Sequence, residues 1–90
     1  MTPLLTAASL EERLRAALQP TQIEVQDDSH QHAGHAGARE GRHYTVRVTS
    51  PRFAGLARLA RHRLVYDSLG ALAPQGVHAL VIVARAPGEG

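Results

Sequence analysis

Histidine is the residue type whose number and spacing could support chemistry in this chain. Six histidines occur in ninety residues, and His30, His32 and His35 follow the spacing i, i+2, i+5. Neutral imidazole is a good ligand for zinc, copper and iron, and the glycine-rich segment around these residues could bend around an ion without a partner protein. The alternative is a solvated loop that happens to be rich in histidine. Because motif matches carry a large false-positive risk, the solvated loop is the default for these three residues taken alone.

His78 differs from the loop histidines in its surroundings. It stands at the start of the apolar run VHALVIVA and is predicted to share a strand face with Leu80 and Ile82. Taken by itself, a histidine in such a place is more often held by a backbone partner than used as a ligand.

A basic cluster is the second candidate site. Arg58, Arg61, His62 and Arg63 lie on one predicted helix and could meet phosphates. A solvated helix face explains the same residues, and the net charge of +2 permits nucleic-acid binding without arguing for it. A GxxG match at residues 34–37 resembles the nucleotide clamp of KH domains. Here it falls between two predicted strands rather than two helices, so the match is weak.

The composition argues against catalysis. The chain has no cysteine, no serine with nucleophile-elbow spacing and no phosphate-binding P-loop, so no enzyme activity is predicted. No apolar run approaches the roughly 20 residues of a membrane span. Its N-terminus lacks the pattern of a secretory signal, and the expected location is therefore the cytoplasm.

The pattern of apolar residues predicts the elements that must position these side chains. Ser9 to Glu12 has the form of a capping box and opens a first helix that carries Leu10, Leu14 and Leu18. Residues before Ser9 could extend this helix or fray. Alternating residues predict strands at 22–27 and 43–50, separated by a flexible loop at 28–42. Ser50-Pro51 fits the start of a short helical turn, and the stretch 55–72 is the best candidate for a long helix.

The third strand and the chain order complete the predicted fold. Residues 77–84 are apolar on both faces, which is typical of a strand covered on at least part of both sides. The tail 85–90 has no packing residues and is expected to be mobile. The order α-β-β-(short α)-α-β predicts a single α+β domain over residues 1–90. Its three-stranded mixed sheet would carry the helices on one face, as a two-layer α/β sandwich.

Several motifs resemble the BolA family. DSHQHAGH, HYTVRVTSPRFAG, RHRLVYDSL, GVHAL and APGE occur in the family's order and spacing, and the resemblance runs over residues 23–89. It implies a class II KH-like αββααβ fold. It also implies a partnership with monothiol glutaredoxins of the CGFS type, in which the two proteins share a [2Fe–2S] cluster.

The resemblance also implies ligand residues for that cluster. The HAL motif places one ligand on His78, and the GHA segment of the loop places the second on His35, with His32 and then His30 close by. A glutaredoxin cysteine and glutathione would supply thiolates, which leaves imidazole for the other iron as in Rieske centres. When isolated, the chain is expected to be a monomer without a cluster.

Bacterial members of the family are also described as DNA-binding regulators of morphology and stress response. This alternative function would use Arg58, Arg61, His62 and Arg63. The helix–helix junction at residues 53–56 lacks the GxxG of KH domains, so the analogy with them is incomplete.

Overall fold

A three-stranded mixed sheet with two helices forms the protein. The computed structural model describes residues 5–28 and 42–89. Its elements are α1 (Ala7–Leu18), β1 (Gln22–Asp27), β2 (Arg42–Thr49), a 3-10 turn (Pro51–Phe53), α2 (Arg58–Leu69), a second 3-10 turn (Ala73–Gln75) and β3 (Val77–Arg85). The strand order is β1-β2-β3, with β1 antiparallel and β3 parallel to β2. The predicted sheet topology is thus confirmed.

Helix α1 begins at Ala7, so the residues before Ser9 extend it by most of a turn, which is one of the two alternatives that the sequence left open. Thr6, not Ser9, is the N-cap: its hydroxyl accepts from the Ser9 N–H at 3.1 Å, and the Ser9 hydroxyl accepts from the Thr6 N–H at 2.8 Å. The predicted Ser9–Glu12 box was wrong. Thr6 and Ser9 are also three residues apart, and they make the same pair of reciprocal hydrogen bonds one turn earlier. Leu5 and Leu10, which flank this box, are both buried in the core, an arrangement typical of a hydrophobic staple.

The core lies between the helices and one face of the sheet. Strand β2 alternates as its sequence predicts, and its inward side chains are fully buried. The Tyr44 hydroxyl donates to the Leu5 carbonyl oxygen at 3.0 Å, and burial raises the pKa of this phenol. The buried side chains are Leu5, Leu10, Leu14, Leu18, Tyr44, Val46, Val48, Phe53, Val65, Leu69, Val77, Ile82 and Ala86.

The second face of β3 is only partly covered by the described residues. Val81 is 55% exposed, whereas Ala79 and Val83 are half-buried, which agrees with the prediction that at least part of each face is covered. Within residues 5–28 and 42–89, neither helix is both long and apolar enough to cross a bilayer.

Ser50 links the end of β2 to α1, and its predicted capping role is confirmed. The Ser50 hydroxyl accepts from the Arg52 N–H at 3.1 Å, with Pro51 at the first position of the turn. The same hydroxyl donates to the carbonyl oxygen of Leu18 at 2.6 Å, which satisfies an orphan acceptor at the end of α1. This turn carries Phe53 into the core, where the ring is fully buried.

Helix α2 is shorter than the predicted helix at 55–72. Gly55 has a φ of 76°, and the chain becomes helical only after Ala57, which has no side-chain cap. At the other end Gly70, also at a φ of 76°, is the C-cap. A positive φ suits glycine and interrupts the helix, so both predicted ends were wrong.

The C-terminal residues after β3 pack against α2, whereas the sequence suggested a tail without packing residues. Ala86 is 5% exposed. The Arg61 guanidinium donates to both carboxylate oxygens of Glu89 at 2.6 and 2.7 Å. Hydrogen bonds from Arg61, followed by one from the Ala86 N–H, lower the pKa of Glu89 from 4.5 to about 2.

This ion pair predicts a specific dependence of stability on pH. Because the pKa of Glu89 is lowered in the folded state, its contribution to the free energy of unfolding is fully present above pH 4.5 and is lost as pH falls toward 2. The difference in unfolding free energy between the wild type and Glu89→Gln should therefore shrink over that interval. Urea titrations at several pH values measure it, with Glu12→Gln on the exposed side of α1 as the control. A difference that stays constant down to pH 2 would contradict the assignment.

Candidate functional site

Two histidine rings lie side by side at one end of the sheet. His43 is the second residue of β2 and His78 the second residue of β3, and their ring centroids are 5.1 Å apart with planes tilted by 50°. His78 is exposed and His43 is half-buried. Sequence reasoning identified His78 but missed His43, because the parallel pairing of two strands distant in sequence brings them together.

A register irregularity decides which way His78 faces. Arg42 pairs with Val77, but the next residue, His43, pairs with Ala79, so β3 contains one more residue than β2 at this point. Val77 is buried and His78 is exposed. The predicted shared face of His78 with Leu80 and Ile82 was therefore wrong, because strict alternation does not continue through a bulge.

Backbone hydrogen bonds hold all three strands together at this end. The Arg42 N–H donates to the Gly76 carbonyl oxygen at 2.8 Å, and the Asp28 N–H donates to the His43 carbonyl oxygen at 2.7 Å. The Asp28 carboxylate accepts from Gln26 at 2.7 Å and from Thr45 at 2.5 Å. The two imidazoles are thus carried by hydrogen-bonded backbone rather than by a free loop.

The loop histidines lie outside the described residues. His30, His32 and His35 belong to the segment between Asp28 and Arg42, so their predicted role as ligands stays a prediction. Both flanking residues stand at the same end of the sheet as His78, because β1 ends there and β2 begins there.

Gln75 fixes the turn that leads into β3, and sequence reasoning missed it. This side chain is 5% exposed. Its amide nitrogen donates to the carbonyl oxygens of Leu69 at 2.9 Å and Ala71 at 2.7 Å, and its amide oxygen accepts from Arg13 at 2.7 Å. One buried amide therefore joins the end of α2, the turn and α1, three residues before His78.

Truncating this amide should destabilise the fold. Gln75→Ala removes the side-chain donor to the Ala71 carbonyl oxygen and one of two donors to the Leu69 carbonyl oxygen, which keeps its hydrogen bond from Arg13 at 3.1 Å. It also removes an acceptor of Arg13, so we expect the lost hydrogen bonds to lower stability by about 2 kcal/mol. Chemical denaturation measures the loss. Gln22→Ala, at an exposed position of β1, is the control and should stay within about 0.5 kcal/mol of the wild type. An equally small effect of Gln75→Ala would show that the amide network is dispensable.

The predicted basic cluster is only partly available to an anion. Arg58 and Arg63 are exposed, and His62 is half-buried. The Arg61 side chain is 14% exposed and, besides Glu89, donates to the carbonyl oxygens of Leu56 at 2.9 Å and Ala84 at 3.1 Å. Arg61 is therefore a structural residue that joins the start of α2 to the end of β3.

A groove brings three of the four basic residues together. It has a volume of about 430 Å³ between the start of α2 and the end of β3. Arg58, Arg61 and His62 line it together with Arg85 and Glu89, whereas Arg63 is absent from its lining. The groove is separate from the histidine pair, which stands at the beginning of β3.

Comparison with known proteins decides the family. A family profile described as BolA-like protein matches residues 14–89. The chain belongs to the BolA family. The solved BolA domain of SufE1 from Arabidopsis thaliana is 43% identical, with a TM-score of 0.79, covering 93% of this chain and 94% of that one. Solved BolA1 from the same plant is 38% identical, with a TM-score of 0.81 and 96% coverage of both chains.

Full-length relatives of this BolA-family chain carry different names. The DNA-binding transcriptional regulator BolA of Escherichia coli is 42% identical over 73 residues, which is 81% of this chain and 68% of that protein. The chain spans only 23% of SufE-like protein 1 from A. thaliana, named as chloroplastic/mitochondrial, and 54% of Protein BOLA1 from the same plant, named as chloroplastic. Membership of the family is shown, whereas the activities of these whole proteins are not transferred with it.

The donor set of this BolA-family chain fits an iron–sulfur cluster only in a shared complex. His78 offers an exposed imidazole on a strand, and imidazole ligates iron in Rieske centres. The sequence contains no cysteine, so every thiolate would have to come from another molecule.

Proposed function

We propose that this BolA-family chain is a partner of a monothiol CGFS glutaredoxin and serves in iron–sulfur cluster assembly, trafficking or iron homeostasis. His78 is one ligand of the shared [2Fe–2S] cluster, and His35, with His32 as the substitute, is the second. In the bound cluster, the thiolates of glutaredoxin and glutathione would hold one iron, and imidazole nitrogen would hold the other.

The exposed ring of His78 on a hydrogen-bonded strand is the observation that carries this proposal. Its backbone position is set by the pairing of β3 with β2 and by the Gln75 turn that precedes it. A ligand on a rigid element loses less conformational freedom on binding than one on a loop. The segment that contains His35 starts and ends near this strand, which supports a site made from both.

Mixing the chain with a cluster-loaded CGFS glutaredoxin tests the proposal. We expect a one-to-one heterodimer by size-exclusion chromatography with light scattering. The visible absorption and circular dichroism of the cluster should change as imidazole replaces thiolate. Cluster-loaded glutaredoxin without the chain serves as the control for the spectrum. No heterodimer and an unchanged cluster spectrum would remove the proposed function.

DNA binding through α2 is the alternative function. The exposed guanidinium groups of Arg58 and Arg63 and the name of the E. coli relative support it. Arg61 contributes less, because the Glu89 carboxylate holds it.

Salt dependence tests this alternative. If Arg58 and Arg63 each meet a phosphate, affinity for duplex DNA should fall steeply with salt. The slope of log K against log salt should decrease by about one for each contact that is removed. Fluorescence anisotropy of the Arg58→Ala and Arg63→Ala variants measures the slope, with Arg15→Ala on α1 as the control. Salt-independent affinity, or an unchanged slope in both variants, would leave these arginines as solvated surface.

A further inference from the structure

We infer that His43 and His78 form a metal site of the isolated chain for a late first-row divalent transition ion. The site does not use the loop histidines and does not require glutaredoxin. It can therefore be tested independently of the proposed function.

The distance between the rings carries this inference. With metal–nitrogen bonds of about 2.0–2.1 Å, two imidazoles on one tetrahedral ion place their ring centroids roughly 5 Å apart. In this structure the centroids of His43 and His78 are 5.1 Å apart. The two rings therefore already stand at the spacing that two imidazole ligands of one ion would have.

The placement of the two residues also suits an ion. They lie on adjacent parallel strands at an end of the sheet, and the His78 side is open to solvent. Neighbouring strands hold such side chains in register, so chelation costs little further ordering.

The chemistry of the donors limits the class of ion. Two imidazoles prefer copper, nickel or zinc over magnesium or calcium, and affinity is highest for Cu²⁺ in the Irving–Williams order. Within the described ranges there is no group of three or more histidine, cysteine or carboxylate side chains that could hold a metal. Water is expected to complete the coordination, so the site should bind reversibly rather than serve as a permanent structural centre.

Titration of the untagged isolated chain with Cu²⁺ tests the inference. The starting protein is the triple variant His30→Ala, His32→Ala, His35→Ala, which removes the loop histidines. We expect it to retain one Cu²⁺ equivalent, with nitrogen hyperfine splitting in its electron paramagnetic resonance spectrum. Adding His43→Ala or His78→Ala should weaken this binding at least tenfold. Adding His62→Ala, the matched control on α2, should leave it unchanged.

The variants also separate loss of a ligand from loss of the fold. His43→Gln retains a polar side chain at a half-buried strand position, and far-UV circular dichroism reports folding in each case. A folded His43→Gln variant with at least tenfold weaker Cu²⁺ binding supports the site. Loss of Cu²⁺ binding in the triple variant, or unchanged affinity after His43→Gln, would overturn it.

His78 would belong to both this site and the shared cluster, and this overlap rests on the proposed function. Zn²⁺ added to the chain should then slow the appearance of the heterodimer spectrum, and a chelator should restore it. A chain that binds Cu²⁺ but no loaded glutaredoxin keeps the metal site and removes the proposed function. If the chain forms the heterodimer but the triple variant binds no Cu²⁺, the proposed function is kept and the metal site is removed.

Discussion

His78→Ala should abolish the imidazole-ligated cluster in the heterocomplex. The ring stands on β3, and no cysteine in the sequence can take its place. The mixture of this variant with loaded glutaredoxin should therefore keep the visible circular dichroism of glutaredoxin alone. His35→Ala should weaken the mixed cluster without abolishing it, since His32 lies three residues earlier in the sequence.

The controls for this prediction separate ligand loss from unfolding. His78 is exposed, so its removal should leave the far-UV spectrum and the denaturation midpoint close to those of the wild type. His62→Ala removes a histidine remote from the start of β3 and should preserve the mixed spectrum. A His78→Ala complex with the wild-type cluster spectrum would show that the ligand assignment is wrong.

Phe53→Ala should cause a large loss of stability. The ring is fully buried in the turn between β2 and α2. Truncation of a buried phenylalanine removes its transfer free energy and leaves a cavity, which together cost about 3–5 kcal/mol. Because a domain of this size is stable by only about 5–15 kcal/mol, the variant should be partly or wholly unfolded on mild heating.

Two further variants calibrate that loss. Leu59→Ala, in the first turn of α2, removes a side chain that is 63% exposed and should change stability by less than about 0.5 kcal/mol. Phe53→Leu should fall between the two, because it fills part of the cavity. Thermal and urea denaturation of the three variants measure the series. A Phe53→Ala effect no larger than that of Leu59→Ala would contradict the packing of this turn.

Local patterns in the sequence predicted the sheet well. Strand β1 has the predicted bounds, β2 is shifted by one residue at both ends, and β3 is one residue longer at its end. Each strand carries its own evidence in the alternation of apolar side chains or in a short apolar run, which requires no knowledge of distant neighbours.

Helix ends were less predictable because several residues compete for the same role. Thr6 and Ser9 can both cap α1, and only the packing of Leu5 and Leu10 favours the earlier turn. The apolar spacing over 55–72 continues through Gly55 and Gly70, where the backbone φ interrupts the helix. Hydrophobic periodicity does not contain that information.

The parts of the site that depend on long-range pairing were not predictable from spacing. His43 and His78 meet only because β2 and β3 are parallel neighbours with a register irregularity at that point. Similarly, Glu89 reaches Arg61 across 28 residues, and Gln75 reaches Arg13 across 62. Family resemblance identified His78, but nothing in the local pattern indicated its neighbour.

Pulsed electron paramagnetic resonance of the reduced heterocomplex tests the central claim most directly. The chain would be produced with ¹⁵N-labelled histidine and mixed with unlabelled, cluster-loaded CGFS glutaredoxin. We predict a strong ¹⁵N coupling to the cluster, which is lost in the labelled His78→Ala variant and retained in the labelled His62→Ala variant. A cluster with no ¹⁵N coupling in the wild-type complex would show that this chain supplies no imidazole to the iron, which contradicts the proposed function.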